Sequence, residues 1–296
     1  MDKYTLPIVS VYVITYNSSK TIQETLDSID AQSYPQIELI ISDDCSTDDT
    51  VTICNRWIDC HMSRFLRTDV ITVERNTGLA SNINRAEAAC QGEWVKGIAG
   101  DDLMTPNCIQ DCMDYISEHP DTIYLFGRCK AFGAATDVCK QIDDRFNYSF
   151  FSLPIDEQLH RLLTEGNCLP ATTVFYHRER VEEIGVTNDE RIPYLDDWPK
   201  WINLLKAGVR FEFVDKTIIK YRVSEAALST IAKPSSKFLR SNAVFYKLYR
   251  FRYEYEHVSK KQAIENWLRA QSTITQNRFW YIVFKIYKVC IMRKLH

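Results

Sequence analysis

The chain comprises 296 residues, 45% of them apolar and 25% charged, with a formal net charge of -3. That balance belongs to a folded protein and excludes disordered and collagen-like classes, while the near-neutral charge leaves no basic signature for nucleic acid as a partner. The length admits one large α/β domain, or a medium domain with an appended module, and a sizeable core.

Met1-Asp2-Lys3-Tyr4 runs straight into a strand-like segment without the basic start, apolar stretch and small-residue cleavage site of a signal peptide, so export is not expected. Ile8 to Thr15 is a β-branched run suited to a buried strand. Polar Tyr16-Asn17-Ser18-Ser19 follows, and then Ile22, Leu26 and Ile29 at helical spacing. Ile37 to Ser42 repeats the pattern and ends in Asp43-Asp44 before a helix carrying Val51, Ile53, Cys54 and Trp57, with Ser46-x-x-Asp49 resembling a capping box. Val70 to Val73 predicts a third strand, leading through Asn76-Thr77-Gly78 to a helix from about Ala80 to Cys90. Trp94 to Ala99 predicts a fourth, stopping at Gly100-Asp101-Asp102. Strands alternating with helices imply a mostly parallel sheet covered on both faces, in which ligands collect beyond the carboxyl ends of the strands.

After Pro106 the pattern predicts a helix with Ile109, Cys112, Met113 and Ile116, a strand at Thr122 to Phe126, and an irregular hairpin-like stretch to about Pro154. A helix near Glu157 to Glu165, a strand near Thr172 to Tyr176, a helix through Leu205 and a strand at Phe211 to Val214 follow. Ten scattered cysteines without a CxxC pair read as reduced thiols of a cytoplasmic protein; Cys108 and Cys112 lack a second pair at zinc spacing and are expected in the core. No run of 18 uncharged apolar residues occurs, so no bilayer-spanning helix is expected.

Three acidic pairs could carry chemistry. Asp101-Asp102 suits Mg²⁺ or Mn²⁺, which take oxygen ligands from one or two carboxylates, substrate phosphates and water. It equally suits the start of the next helix. Asp43-Asp44 is surplus to capping, which Ser46, Thr47 and Asp48 already supply; a carboxylate there could accept the N3 hydrogen of a uracil, with Thr15, Tyr16 and Asn17 on the neighbouring loop. Taken alone, a solvated turn explains it better. Asp196-Asp197 opens the helix with Trp198 and Trp201, where a carboxylate either caps or takes a proton from an acceptor hydroxyl. Together the three pairs have a joint explanation that capping does not provide: glycosyl transfer needs a base beside the acceptor and stabilisation of a departing diphosphate.

On these residues the chain resembles the family 2 glycosyltransferases with the GT-A fold, over roughly Pro7 to Ser229. Val9 to Asn17 and Ser42 to Thr50 are similar to the family's nucleotide-binding opening. Asn76-Thr77-Gly78 with Asn84-Arg85, and Gly92-Glu93-Trp94 leading to Gly100 through Pro106, are similar to its central block. The resemblance implies a Rossmann-like sheet and an inverting transfer from a nucleotide sugar. It implies nucleoside contacts from Thr15 and Asn17 and a bond from Asp44 to the base, beside Tyr16 and Asp43 of the same loops. Asn76, Gly78 and Arg85 would complete the donor side, Asp101 with Asp102 would serve the ribose-diphosphate and metal, and Arg222 would help neutralise the leaving diphosphate. Asp197 matches the catalytic base, with Asp196 beside it. Two departures stand out. Ala99 occupies a position often held by the first Asp of a DxD motif, and Ser224 stands where many members place a metal-binding His, which implies either reduced metal affinity or an ion held mainly by donor phosphates.

The expected division is a catalytic domain over 1–230, its nucleotide part about 1–105 and its acceptor part about 106–230, and a basic, aromatic helical region over 231–296. Trp280, Ile282, Val283, Phe284, Ile286, Tyr287, Val289, Cys290 and Ile291, broken by Lys285 and Lys288, suit an amphipathic helix on the anionic inner face of a cell membrane, or one packed on the catalytic domain. The first points to a lipid-linked glycan acceptor in polysaccharide or O-antigen assembly. Two other classes remain open. A sugar-nucleotide nucleotidyltransferase would want a Gly-rich basic loop where Tyr16-Asn17-Ser18-Ser19-Lys20 is a poor one, and a non-catalytic sugar-nucleotide binder would suit Ala99 and Ser224.

Overall fold

A computed structural model describes residues 6–223, 235–276 and 278–292. β1 (Val9–Thr15), β2 (Ile37–Asp43), β3 (Arg67–Thr72) and β4 (Trp94–Ala99) lie parallel in an eight-stranded sheet of order β3-β2-β1-β4-β7-β6-β8-β5. The remaining strands are β5 (Leu103–Met104), β6 (Tyr124–Phe132), β7 (Phe175–His177) and β8 (Phe211–Arg222). β7 and β5 run antiparallel to their neighbours, while β6 and β8 pair in parallel. The carboxyl ends of β1, β2, β4, β6 and β8 therefore share one edge. Register brings Thr15 opposite Asp43 and Ile14 opposite Ala99.

Alternation along β1 explains the two core layers, since successive side chains leave opposite faces. Val9, Val11 and Val13 pack with Ile22, Leu26 and Ile29 of α1 (Ile22–Asp30) and with Cys108, Ile109 and Cys112 of α4 (Cys108–Glu118). The thiols of Cys108 and Cys112 are thus core side chains. On the other face Tyr12 joins Ile83 and Ala86 of α3 (Leu79–Ala89) and Trp201 and Ile202 of α8 (Asp197–Lys206). α2 (Thr50–His61) covers the first layer through Cys54, Trp57 and Ile58.

Several elements depart from the sequence pattern. The stretch after Phe126 is no irregular hairpin: β6 continues to Phe132, α5 spans Thr136–Asp143, and a tight 3₁₀ turn covers Tyr148–Ser152. α5 buries only Ile142, too little apolar signal for a periodic pattern. β8 runs on to Arg222 because it pairs along the whole of β6, with a bulge around Gly127 and Arg128. Between α6 (Ile155–Thr164) and α8, a short α7 (Arg178–Ile184) was also not foreseen. The capping box is absent. Ser46 turns its hydroxyl to Asp43, and Asp48 instead accepts the Thr50 N–H at 3.1 Å.

Helices at Ser236–Phe245, Phe251–His257, Lys260–Thr275 and Arg278–Met292 follow, the first two joined by a π-helical segment over Tyr246–Arg250. Phe245 enters the second core layer 4.4 Å from Trp198, and Arg250 donates to the Leu163 and Thr164 carbonyls at 2.5 and 2.6 Å, capping the last turn of α6. Helix Arg278–Met292 packs on Lys260–Thr275 through Trp280, edge-on to Trp267 at 5.7 Å. It leaves Phe279, Tyr281, Ile282 and Ile286 exposed. No helix among the described residues is long and apolar enough to cross a membrane.

Candidate active site

The loops after β1 and β2 are laced together at the shared edge. Asn17, in the left-handed region at a φ of 54°, donates its N–H to Ser46 Oγ at 2.7 Å and accepts the Thr47 N–H at 2.9 Å. Asp43 is buried and holds this corner, accepting the Thr15 hydroxyl and the Ser46 N–H, each at 2.8 Å. Asp43 is therefore not surplus to the loop. Tyr16 stands half exposed beside it at 51%.

Asp44 crosses to the loop before α3. Its carboxylate accepts the Thr77 N–H and hydroxyl, the Gly78 N–H at 2.7 Å and the Arg85 guanidinium at 3.2 Å. Asn76 donates to the Asp44 carbonyl at 3.2 Å. Burial works against the charged form of Asp44, but the bonds from Thr77, Gly78 and Arg85 outweigh it and hold the carboxyl below its ordinary range. Gly78 sits at a φ of 92°, where a side chain would be strained, and opens α3. Arg85, about two turns along α3, also donates to Ser42 Oγ at 3.0 Å and Asn82 Oδ1 at 2.8 Å. Thr15, Asn17, Asp43, Asp44, Asn76, Gly78 and Arg85 thus form one connected frame.

Asp101 and Asp102 follow β4 on the same edge. Asp102 is 2% exposed, and its oxygens accept the Arg222 N–H and the Thr172 hydroxyl, both at 2.8 Å. Burial and the adjacent Asp101 push its carboxyl up to about 7. Asp101 accepts the Arg222 Nε–H on its carbonyl at 2.7 Å, while its carboxylate is held by its own backbone N–H and by no other residue's hydrogen bond among the described residues. Burial raises Asp101 as well, against the pull of Arg222. The Arg222 guanidinium also pairs with Glu24 at 2.7 Å and lies 4.6 Å over the Phe132 ring.

Among the described residues, no group of three or more His, Cys, Asp or Glu side chains could hold a metal ion unaided. The donor set fits an ion taken by the Asp101 carboxylate, with Asp102 behind it and the other ligands from a diphosphate and water. Ala99 lines the same cleft without a ligand atom, and Ser224 lies outside the described residues.

A cleft of about 410 Å³ opens beside this edge. Asp102, Ala99 and Thr172 form one part of its lining, and Asn167 and Asp196 another, with Leu79 and Phe146 among the apolar residues. Asp196 precedes the first turn of α8 and makes no side-chain capping bond; Asp197 accepts the Asn167 side-chain N–H at 2.9 Å and the Trp198 N–H at 2.6 Å. Burial raises both carboxyls, and Asp197 pushes Asp196 further. A raised carboxyl beside an ionised one can hold or accept a proton near neutrality.

Sequence reasoning missed Lys96, Asn167 and Thr172. Lys96 is fully buried in β4 and donates to the Thr172 carbonyl at 2.6 Å, tying the 3₁₀ turn Ala171–Thr173 to the sheet below Asp102. A lysine inside the apolar run Trp94 to Ala99 was the available signal. Asn167, in the loop before that turn, and Thr172, within it, carry no such mark.

The sequence pattern of glycosyl transferase family 2 matches residues 10–185. The chain is 28% identical to a putative teichuronic acid biosynthesis glycosyltransferase, TuaG of Bacillus subtilis, over 76% of this chain and 82% of that protein. It is 26% identical to WfaP of Escherichia coli, a UDP-Glc:alpha-D-GlcNAc-diphosphoundecaprenol beta-1,3-glucosyltransferase, covering 76% and 80%. In structure it is similar to residues 1–349 of Staphylococcus aureus TarS in complex with UDP-GlcNAc, with a TM-score of 0.62, 19% identity and coverage of 91% and 81%. A mannosyltransferase of Pyrobaculum calidifontis in complex with GDP-Man and Mn²⁺ gives a TM-score of 0.59 at 17% identity, covering 98% and 82%. The mostly parallel sheet flanked by helices is the GT-A fold of these neighbours, and with its family pattern covering more than half the sequence the chain belongs to glycosyl transferase family 2.

Proposed function

We propose that this glycosyltransferase moves a sugar from a UDP-sugar to a hydroxyl of a growing, lipid-linked glycan, with inversion at the anomeric carbon, in the assembly of a cell-surface polysaccharide. The observation that carries the reading is one cleft lined by Asp102 from the nucleotide edge and by Asp196, next to Asp197, from the start of α8. The TarS complexes with UDP and UDP-GlcNAc support the nucleotide, and WfaP, named for a diphosphoundecaprenol-linked acceptor, supports the lipid carrier.

Thr15, Tyr16 and Asn17 would meet the nucleoside, with Tyr16 offering its exposed ring to the base. Asp44 can take a uracil N3 hydrogen by exchanging one of its present donors, and the Thr77 hydroxyl is the one able to rotate away. Asn76, Gly78 and Arg85 hold that frame in place. Asp101 and Asp102 would hold Mg²⁺ or Mn²⁺, which supplies charge neutralisation for the departing diphosphate. Arg222 adds positive charge on the same edge once its contact with the exposed Glu24 is given up. Asp197, oriented by Asn167, receives the acceptor proton as the oxygen attacks, and Asp196 keeps a second carboxyl at the acceptor side.

The acceptor's lipid suggests a place at the inner face of the cell membrane. Phe279, Tyr281, Ile282 and Ile286 form an exposed apolar face, and residues 277–296 carry no Asp or Glu, which suits anionic headgroups. Thermal shift with UDP-, GDP- and dTDP-sugars in Mn²⁺ tests the donor. Stabilisation by UDP-sugars above the others is expected; equal or greater stabilisation by GDP-sugars overturns the UDP assignment.

A further inference from the structure

Outside the groups used above, a buried ion pair among the described residues lies on the helix that carries the acid pair. Lys200 lies on α8, one turn after Asp196 and Asp197. Its side chain is 5% exposed, and Nζ bonds Glu87 Oε1 of α3 at 2.6 Å and lies 5.2 Å from the centre of the Tyr176 ring. The other oxygen of Glu87 accepts the Asn188 side-chain N–H at 3.3 Å, and Asn188 is held in turn by Asn84 of α3 at 2.9 Å. α3 is the helix that begins at Gly78 and carries Arg85, so the pair joins the donor frame to the acceptor side.

An apolar residue would pack this position at lower cost, because a buried ion pair seldom stabilises more than a hydrophobic replacement does. A lysine there calls for another account. Around the acid pair lie Lys200 on α8, Glu87 on α3 and the phenols of Tyr12 on β1 and Tyr124 on β6, with Arg145 lining the same cleft as Asp196. Neither Asp196 nor Asp197 forms a salt bridge among the described residues. Lys200 is the cation on the pair's own helix, buried with it, and Glu87 opposes it.

We propose that Lys200 is the positioning cation of the acceptor-side acid pair, held by Glu87 so that it sets how much negative charge Asp196 and Asp197 carry when an acceptor arrives. The inference rests on the reading of that pair as the acceptor-side base. A positive group one helical turn away favours the ionised pair, whereas Glu87 favours the protonated one. The geometry therefore makes a prediction of opposite signs for two partners of one ion pair, which simple structural damage does not.

The test needs no donor or acceptor. In the full chain with [¹³Cγ]-labelled aspartate, carboxyl resonances of the pair are assigned with Asp196→Asn and Asp197→Asn and followed against pH. Lys200→Met should raise the midpoint by about one unit, Glu87→Gln should lower it, and Lys200→Arg should restore it. The double variant Glu87→Gln with Lys200→Met leaves no unpaired buried charge and should return toward the parent midpoint, which covers the case where Lys200→Met alone does not fold. Midpoints unmoved, or moved the same way by both partners, overturn the proposal. Full transfer activity in Asp197→Asn would instead overturn the base assignment while leaving the titration result standing.

Discussion

Thr77 gives both its backbone N–H and its hydroxyl to the carboxylate of Asp44, fastening the end of β2 to the loop that opens α3. Those bonds favour the ionised carboxyl and hold it below its ordinary range in spite of burial. The sign follows from linkage: a depressed folded pKa gives stability that is present above the unfolded value of about 3.9 and is lost as the pH falls through the folded one. Asp44→Asn should therefore cost about 2 to 3 kcal/mol at pH 7, and the difference from the parent should shrink below pH 4. Urea unfolding at pH 7 and pH 3 measures it. A penalty equal at both would mean that charge plays no part.

The same bond separates two roles for Asp44. If a uracil displaces the Thr77 hydroxyl, Thr77→Val removes a competitor and should leave UDP affinity unchanged or tighter, whereas Asp44→Asn should weaken it by about tenfold or more. Isothermal calorimetry with UDP decides. Equal weakening by both would assign Asp44 to holding the loop and not to reading the base.

Asp101 and Asp102 are adjacent in sequence but differ in surroundings. Asp102 already accepts from Thr172 and Arg222, while the Asp101 carboxylate is without such a partner among the described residues. EDTA should weaken UDP binding to the parent. Asp101→Asn should bind UDP weakly whether Mn²⁺ is present or not, and Asp102→Asn should keep part of the metal response, since an amide oxygen still accepts one bond. The assigned site is wrong if EDTA and both substitutions leave affinity within about twofold.

How much of this was readable beforehand depends on the physical signal each residue left. The β-branched runs of β1 and β2 mark strands whatever surrounds them, and Thr15, Asp43 and Asp44 fall at strand ends, so the edge at which they gather was legible. What Asp43 does there was not. A carboxylate that serves its own loop looks in sequence like one awaiting a ligand, and only the Thr15 and Ser46 contacts distinguish them. Asn167 and Lys200 reach Asp197 and Glu87 from 30 and 113 residues away, a separation that no local pattern records. The helix Arg278–Met292 was legible as amphipathic, but its packing on Trp267 was not, because burial against another helix and burial in lipid leave the same composition.

That helix gives a separable prediction. Ile282 and Ile286 lie on its exposed face, one turn apart, so replacing both by Asp leaves the Trp280 contact with Trp267 in place. Burying an isoleucine is worth about 1.5 to 3 kcal/mol, so the double change should lower binding to anionic vesicles by well over tenfold. Co-sedimentation with phosphatidylglycerol liposomes measures it. Equal recovery of the parent, the double variant and a chain ending at Gln276 would rule out this helix as an anchor.

The strongest functional prediction concerns Asp197. Its carboxylate is oriented by Asn167 and by the Trp198 N–H, next to Asp196 in a cleft shared with Asp102, and direct displacement at an anomeric carbon needs a group to receive the acceptor proton. Asp197→Asn keeps the shape and removes the base. Turnover should fall by about 10² to 10⁴-fold, the usual worth of general-base assistance, while UDP binding and melting temperature stay near those of the parent. Asn167→Ala should give a smaller loss in turnover with little change in UDP affinity, because it frees the carboxylate to rotate without removing it. Asp196→Asn should also cost less than Asp197→Asn if Asp196 acts through its neighbour. Burial raises both carboxyls, so rate should climb with pH as the pair ionises, and the Asp197→Asn residue of activity should lose that climb. A folded Asp197→Asn protein with near-full transfer would remove the assignment, and a larger loss in Asp196→Asn would move the base to that residue.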